Sequence, residues 1–111
     1  MAERDIKGEI ASIAATLSDI ESVLKIETLQ KEIAKLEERA AAPDLWNDPE
    51  SAQKVTSALS RSQAIVSKVT NLRSRIEDIS VLLELAKSED DSSTLAEVAR
   101  ELDSLNSAIG D

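Results

Sequence analysis

From Val55 onward the apolar side chains of this chain hold a seven-residue step over five consecutive repeats, and few folds can accommodate that. With Val55 at position a, the a positions are Val55, Ser62, Val69, Ile76 and Leu83. The d positions are Ala58, Ile65, Leu72, Ile79 and Ala86. Only Ser62 among them is polar, and Leu59 and Val66 widen the stripe. Side chains so spaced share one face of an α-helix and are buried against other helices. The element should run from Pro49 to about Lys87, roughly 58 Å at 1.5 Å per residue. A helix of that length with a single apolar seam needs partners, so antiparallel helical neighbours are expected.

Two further stripes precede it. Ile6, Ile10, Ile13, Leu17, Ile20 and Leu24 alternate steps of four and three, and Ile26, Leu29, Ile33, Leu36 and Ala40 do the same in a different phase. The mismatch predicts a kink or short break near Lys25 to Thr28, although no Gly or Pro marks it. One long bent helix is the alternative. Gly8, which costs about 1 kcal/mol relative to Ala inside a helix, weakens the first segment at its start. A last stripe of Leu95, Val98, Leu102, Leu105 and Ile109 follows the acidic turn Ser88–Ser93. That turn offers several N-caps, and Thr94 with Glu97 also fits a capping box. The chain is 41% hydrophobic but 1% aromatic, with two Gly and two Pro, which suits long helices on narrow seams rather than a β-sandwich. The expectation is an all-α fold: one domain over residues 1–111, an antiparallel bundle of three to four helices with coiled-coil-like packing. The helices should cover about 5–24, 27–41, 49–87 and 93–109.

The stretch Ala41-Ala42-Pro43-Asp44-Leu45-Trp46-Asn47-Asp48-Pro49-Glu50 interrupts the periodicity and holds both prolines and the single aromatic residue. Pro43 pushes Ala42 out of the α region and ends the helix before it. Asp48-Pro49-Glu50 reads as a helix start, with Asp48 as N-cap, Pro49 in the first helical position and Glu50 facing the positive end of the dipole. Leu45 and Trp46 would plug the open end of a helical hairpin. The sharper reading makes Trp46 an exposed anchor for a partner, since Trp is enriched at binding hot spots.

Little in the chain suggests catalysis. Cys and His are both absent, which removes disulfides, thiolate or imidazole zinc sites and the nucleophile pairs that depend on them. Glu37-Glu38 and Glu89-Asp90-Asp91 lack the spacing and the Gly of a calcium loop, and no cofactor is expected. No segment reaches the ~20 apolar residues of a membrane span, and Met1-Ala2-Glu3-Arg4-Asp5 is no signal peptide. A cytoplasmic protein is expected, without membrane or DNA partners. Net charge is −9 with 22 acidic residues, yet Ser51 to Ile76 contains none and carries Lys54, Arg61, Lys68, Arg73 and Arg75. Lys54, Arg61, Lys68 and Arg75 repeat every seven residues in the g position, a basic rail beside the apolar seam. Such a rail either pairs with acidic flanks of neighbouring helices (Asp19, Glu21, Glu32 and Glu37 are candidates) or faces the phosphates of structured RNA.

The Trp-centred turn with Ala52-Gln53 after it, then Ile76-Glu77-Asp78-Ile79-Ser80-Val81-Leu82-Leu83-Glu84-Leu85-Ala86, the acidic turn and Ala99-Arg100-Glu101-Leu102, resembles the N-terminal helical domain of bacterial peptide chain release factors of the factor 2 type. The likeness covers most of the chain from Leu24 onward. Lys25-Ile26-Glu27 departs from the family's frequent Asp-x-Pro at that point. The resemblance implies a ribosome-contacting module of a factor that reads stop codons and promotes peptidyl-tRNA hydrolysis, touching stalk-base RNA and proteins. The family's Ser-Pro-Phe and Gly-Gly-Gln motifs are missing, so the resemblance implies a non-catalytic N-terminal fragment of a longer chain. Lys54, Arg61, Lys68, Arg75 and Trp46 are the candidate contacts, and an isolated fragment could form a homodimer through an uncovered seam. The rival reading is a free-standing structural coiled coil or adaptor protein.

Overall fold

The computed structural model of the chain describes residues 4–110. Met1, Ala2 and Glu3, the first part of the stretch read above as no signal peptide, and Asp111 lie outside the described residues. The elements in order are α1 (Ile6–Leu24), α2 (Ile26–Ala41), a 3-10 turn (Pro43–Asn47), α3 (Pro49–Glu89) and α4 (Ser92–Gly110). Among the described residues there is no β-strand, and the all-α expectation holds.

Each boundary has a local cause. At the start of α1 the Gly8 N–H donates to Asp5 Oδ1 at 3.0 Å and the Glu9 N–H to the Asp5 carbonyl at 2.9 Å. Asp5 is thus the N-cap: its carboxylate satisfies one of the helix's unpaired donors and its carbonyl accepts the first helical bond. A Cβ on Gly8 would collide with the Asp5 carboxyl, so the glycine makes room for this cap. The break between α1 and α2 is a single residue: Lys25 takes left-handed angles, φ 54 and ψ 57, with no side-chain cap. Ala42 is extended ahead of Pro43, as a residue before proline must be. Asp48 caps α3, its Oδ2 accepting from Ser51 Oγ at 2.8 Å and its carbonyl from the Ala52 N–H at 3.0 Å.

α3 ends in a Schellman motif. Asp90 has φ 51, the Asp91 N–H donates to the Ala86 carbonyl at 3.0 Å and the Asp90 N–H to that of Lys87 at 3.4 Å. Asp91 then opens α4. Its Oδ1 accepts from the Ser93 and Thr94 N–H groups at 3.0 and 3.3 Å, and its Oδ2 from Thr94 Oγ1 at 2.7 Å. Thr94 is therefore inside the helix and not its N-cap, because the left-handed turn at Asp90 delivers Asp91 to the capping position first.

The chain forms two compact units, one from the residues up to Ile20 with those from Thr70 onward, the other from Glu21–Val69. In the first, Ile13 and Leu17 of α1, Leu72, Ile76, Ile79 and Leu83 of α3, and Val98, Leu102 and Leu105 of α4 make one buried core. It is a three-helix bundle. Arg4 straps its outside, donating to both carboxylate oxygens of Glu9 and of Asp103, with the shortest contact to each 2.6 Å. Arg73 donates to Ser18 Oγ at 3.2 Å and Arg75 to Ser104 Oγ at 3.0 Å.

The second unit is thinner. Its buried side chains are Ala52, Val55 and Val69, all on α3, whereas Ile26, Leu29, Ile33, Leu36 and Ala40 of α2 are half-buried. This unit has two main apolar stripes, and two stripes facing each other leave their outer edges wet. Ile65, expected in the seam, is 37% exposed for that reason. Leu24, at the end of the α1 stripe, is exposed beside the break at Lys25.

Candidate nucleic-acid interface

Lys54, Arg61 and Lys68 lie on the part of α3 inside the second unit, and all three are exposed. A seven-residue step advances ~10.5 Å along a helix and returns to within about 20° of the same direction. The three cations therefore form a row with a slight drift around the axis. Lys54 Nζ stands 3.7 Å from Glu50 Oε1, one turn away, with both side chains about four-fifths exposed. A pair so open to water is worth little. Arg61 and Lys68 form no ion pair among the described residues. Interhelical pairing of this row with acidic flanks is thus not what the structure shows. Arg75, the fourth member by spacing, sits in the first unit, half-buried and bonded to Ser104.

Beyond Glu50, the residues of α3 beside the row are neutral. Gln53, Ser57, Ser60, Gln63 and Ser67 are exposed along the same stretch, and no carboxylate interrupts it between Glu50 and Glu77. Gln53, Lys54, Ser57 and Arg61 line a shallow depression with Glu50 at its end. Two cations flanked by amide and hydroxyl donors can bind phosphate oxygens, and backbone phosphates spaced along a strand can occupy successive positions.

Trp46 lies at the elbow between α2 and α3. It is 58% exposed, while Leu45 is half-buried. Only Leu45 does part of the plugging that the sequence suggested for both. The indole does something else: Nε1–H donates to the Ala40 carbonyl at 3.2 Å. That carbonyl is one of the last four of α2, which lack helical partners, so Trp46 caps the helix end with its edge while leaving much of its ring in water. The sequence pattern gave no hint of this bond.

Two aspartates at helix starts have perturbed acidities. The Ser51 hydroxyl, helped by the backbone N–H groups of Ser51 and Glu50, holds the Asp48 carboxyl below the usual aspartate range. The Thr94 hydroxyl, with the N–H groups of Thr94 and Ser93, does the same for Asp91. Both are structural caps. Among the described residues no group of acidic side chains has the arrangement of a metal site, and no helix is long and apolar enough to cross a membrane.

The fold is thus all-α, and an exposed basic row and a Trp-capped elbow mark its second unit. The PCRF domain matches residues 29–111, and the chain belongs to that family. Its sequence is similar to proteins named peptide chain release factor 2: 50% identical over 109 residues to that of Streptomyces avermitilis, 45% over 111 to that of an Arthrobacter species, and 47% over 109 to that of Salinispora arenicola. These alignments cover 98%, 100% and 98% of the chain but 30%, 30% and 29% of the relatives. The chain thus spans about 30% of the length of the curated relatives it matches.

Proposed function

We propose that this chain is the ribosome-contacting module of a bacterial peptide chain release factor 2, working in the cytoplasm, and that Lys54, Arg61 and Lys68 face ribosomal RNA. The family relationship supplies the setting. The observation that carries the contact is the row itself: three exposed cations along a stretch of α3 with no carboxylate between Glu50 and Glu77, in a chain with net charge −9. Charge of that sign, concentrated on one helix face against the overall balance, is the footprint of a polyanion site. Stalk-base RNA is the partner the resemblance implies. The module holds no catalytic group in this reading, and stop-codon recognition and peptidyl-tRNA hydrolysis belong to the rest of the factor.

The test is sedimentation of the chain with salt-washed ribosomes across a salt series, with and without Arg61→Glu/Lys68→Glu. Each phosphate contact removed should flatten the slope of log K against log salt by about one. The double variant should bind at least tenfold more weakly at low salt, with its melting temperature unchanged. A lowered melting temperature with unaltered binding would return the row to a structural role.

A further inference from the structure

The two units differ in how their helices are tied together. In the first, Arg73 of α3 donates to Ser18 of α1 and Arg75 to Ser104 of α4, over a closed core. In the second, α2 buries no residue, and among the described residues no side-chain hydrogen bond or ion pair joins α2 to α3. Both ends of α2 are breaks. Its start follows the left-handed Lys25, which offers no side-chain cap, and its end runs into extended Ala42 ahead of Pro43. Turning at these two points would free α2 from α3 with its own backbone hydrogen bonds kept. Two things oppose that departure. One is the half-burial of Ile26, Leu29, Ile33, Leu36 and Ala40. The other is a single polar bond across the elbow, from Trp46 Nε1–H to the Ala40 carbonyl at 3.2 Å.

The first half of α3 depends on this cover. Leu72, Ile76, Ile79 and Leu83 anchor the helix in the closed core, but Ala52, Val55 and Val69 are buried within the second unit. Without α2, the part from Pro49 to Val69 would be a helix of about 20 residues with an uncovered apolar seam, which is marginal in water. We propose that α2 is a releasable arm latched by Trp46, and that its release melts the Pro49–Val69 part of α3 while the core of the first unit stays folded. Lys54, Arg61 and Lys68 keep their helical spacing only while the arm is closed. The arm therefore decides whether the basic row exists as a row, a consequence that rests on the RNA reading above, whereas the release itself does not.

Trp46 is the single aromatic residue and lies in the second unit, so its fluorescence reports that unit alone, while far-UV circular dichroism reports helix in both. In a urea titration the fluorescence change should come first, together with part of the dichroism loss, and the rest of the helix should melt at higher urea. Inorganic polyphosphate, as a polyanion probe, should move the first transition to higher urea and leave the second in place. Separate transitions that polyphosphate does not move would sink the RNA reading of the row and leave the arm standing. Amide exchange gives the second measurement. Leu36 on α2 and Val55 on α3 should share one opening equilibrium, with Leu102 far better protected. Trp46→Phe removes the N–H donor and should quicken exchange at Leu36 and Val55 together by about fivefold, with Leu102 unchanged. Exchange that is unaltered at both sites, or quickened at Leu36 alone, overturns the proposal. So does a single transition seen identically by fluorescence and dichroism.

Discussion

Asp48 and Asp91 show how much of this fold is settled by single side chains at helix starts. Each accepts a hydroxyl hydrogen bond and backbone N–H groups that the helix cannot otherwise satisfy. Those bonds favour the charged form and depress both acidities in the folded state. A carboxyl whose folded value lies below its unfolded value, near 3.9, contributes stability above that value. The contribution is lost as pH falls through the folded value. Thermal melts of the chain and of Asp48→Asn/Asp91→Asn should therefore differ at pH 6 and converge toward pH 2, with the variant melting lower at pH 6. A gap that persists undiminished into acid would show that the caps act without their charge. Asp48 was legible in the sequence because Pro49 and Glu50 follow it. Asp91 was one candidate among several, because the residue that selects it is Asp90, whose left-handed backbone no side-chain pattern announces.

The junction of α1 and α2 turns on Lys25. A left-handed backbone costs a residue with a Cβ about 1–2 kcal/mol, and Lys25 has neither a glycine's freedom nor a capping bond to offset it. Lys25→Gly should raise stability by about 1 kcal/mol, read from the urea midpoint at constant slope. A loss would mean that the Lys25 stem packs in a way that outweighs the strain. The phase jump between Leu24 and Ile26 located this break to within a few residues, since two apolar stripes on different faces cannot belong to one straight helix. Its brevity was not legible, because a one-residue reversal is a backbone state rather than a pattern of side chains. Spacing located the basic row on α3 equally well, yet it placed Arg75 with the other three. Seven-residue repeats describe direction around an axis and are blind to the serine on another helix that takes up the guanidinium.

On the scale of the molecule, the contrast is between a unit with a closed core and one whose stripes are half-covered. Leu17, Val98, Leu102 and Leu105 are fully enclosed, and Leu102→Ala should cost about 2–5 kcal/mol. Leu36→Ala on α2 removes a side chain already half in water and should cost less than half as much, with both values taken from urea melts. Amide exchange should follow the same order, slowest at the centre of the three-helix core and faster along α2. Equal protection throughout would contradict it. The heptads on α3 identified the residues that this helix buries in the first unit, Leu72, Ile76, Ile79, Leu83 and Ala86, but Ile65 was indistinguishable by spacing from Leu72. What separates them is the number of helices that cover the seam, a property of the whole assembly. The exposed pair Val81 and Leu85 falls at f and c, outside that seam, and was readable as such from the same repeat. The closed core is built from Ile, Leu and Val alone, and the chain's single ring sits at the elbow, outside that core. No ring current therefore acts among the core methyl groups, and their proton resonances should crowd near random-coil positions even when packing is complete. Narrow methyl dispersion, ordinarily taken as the mark of a molten interior, will here be the signature of a well-packed one.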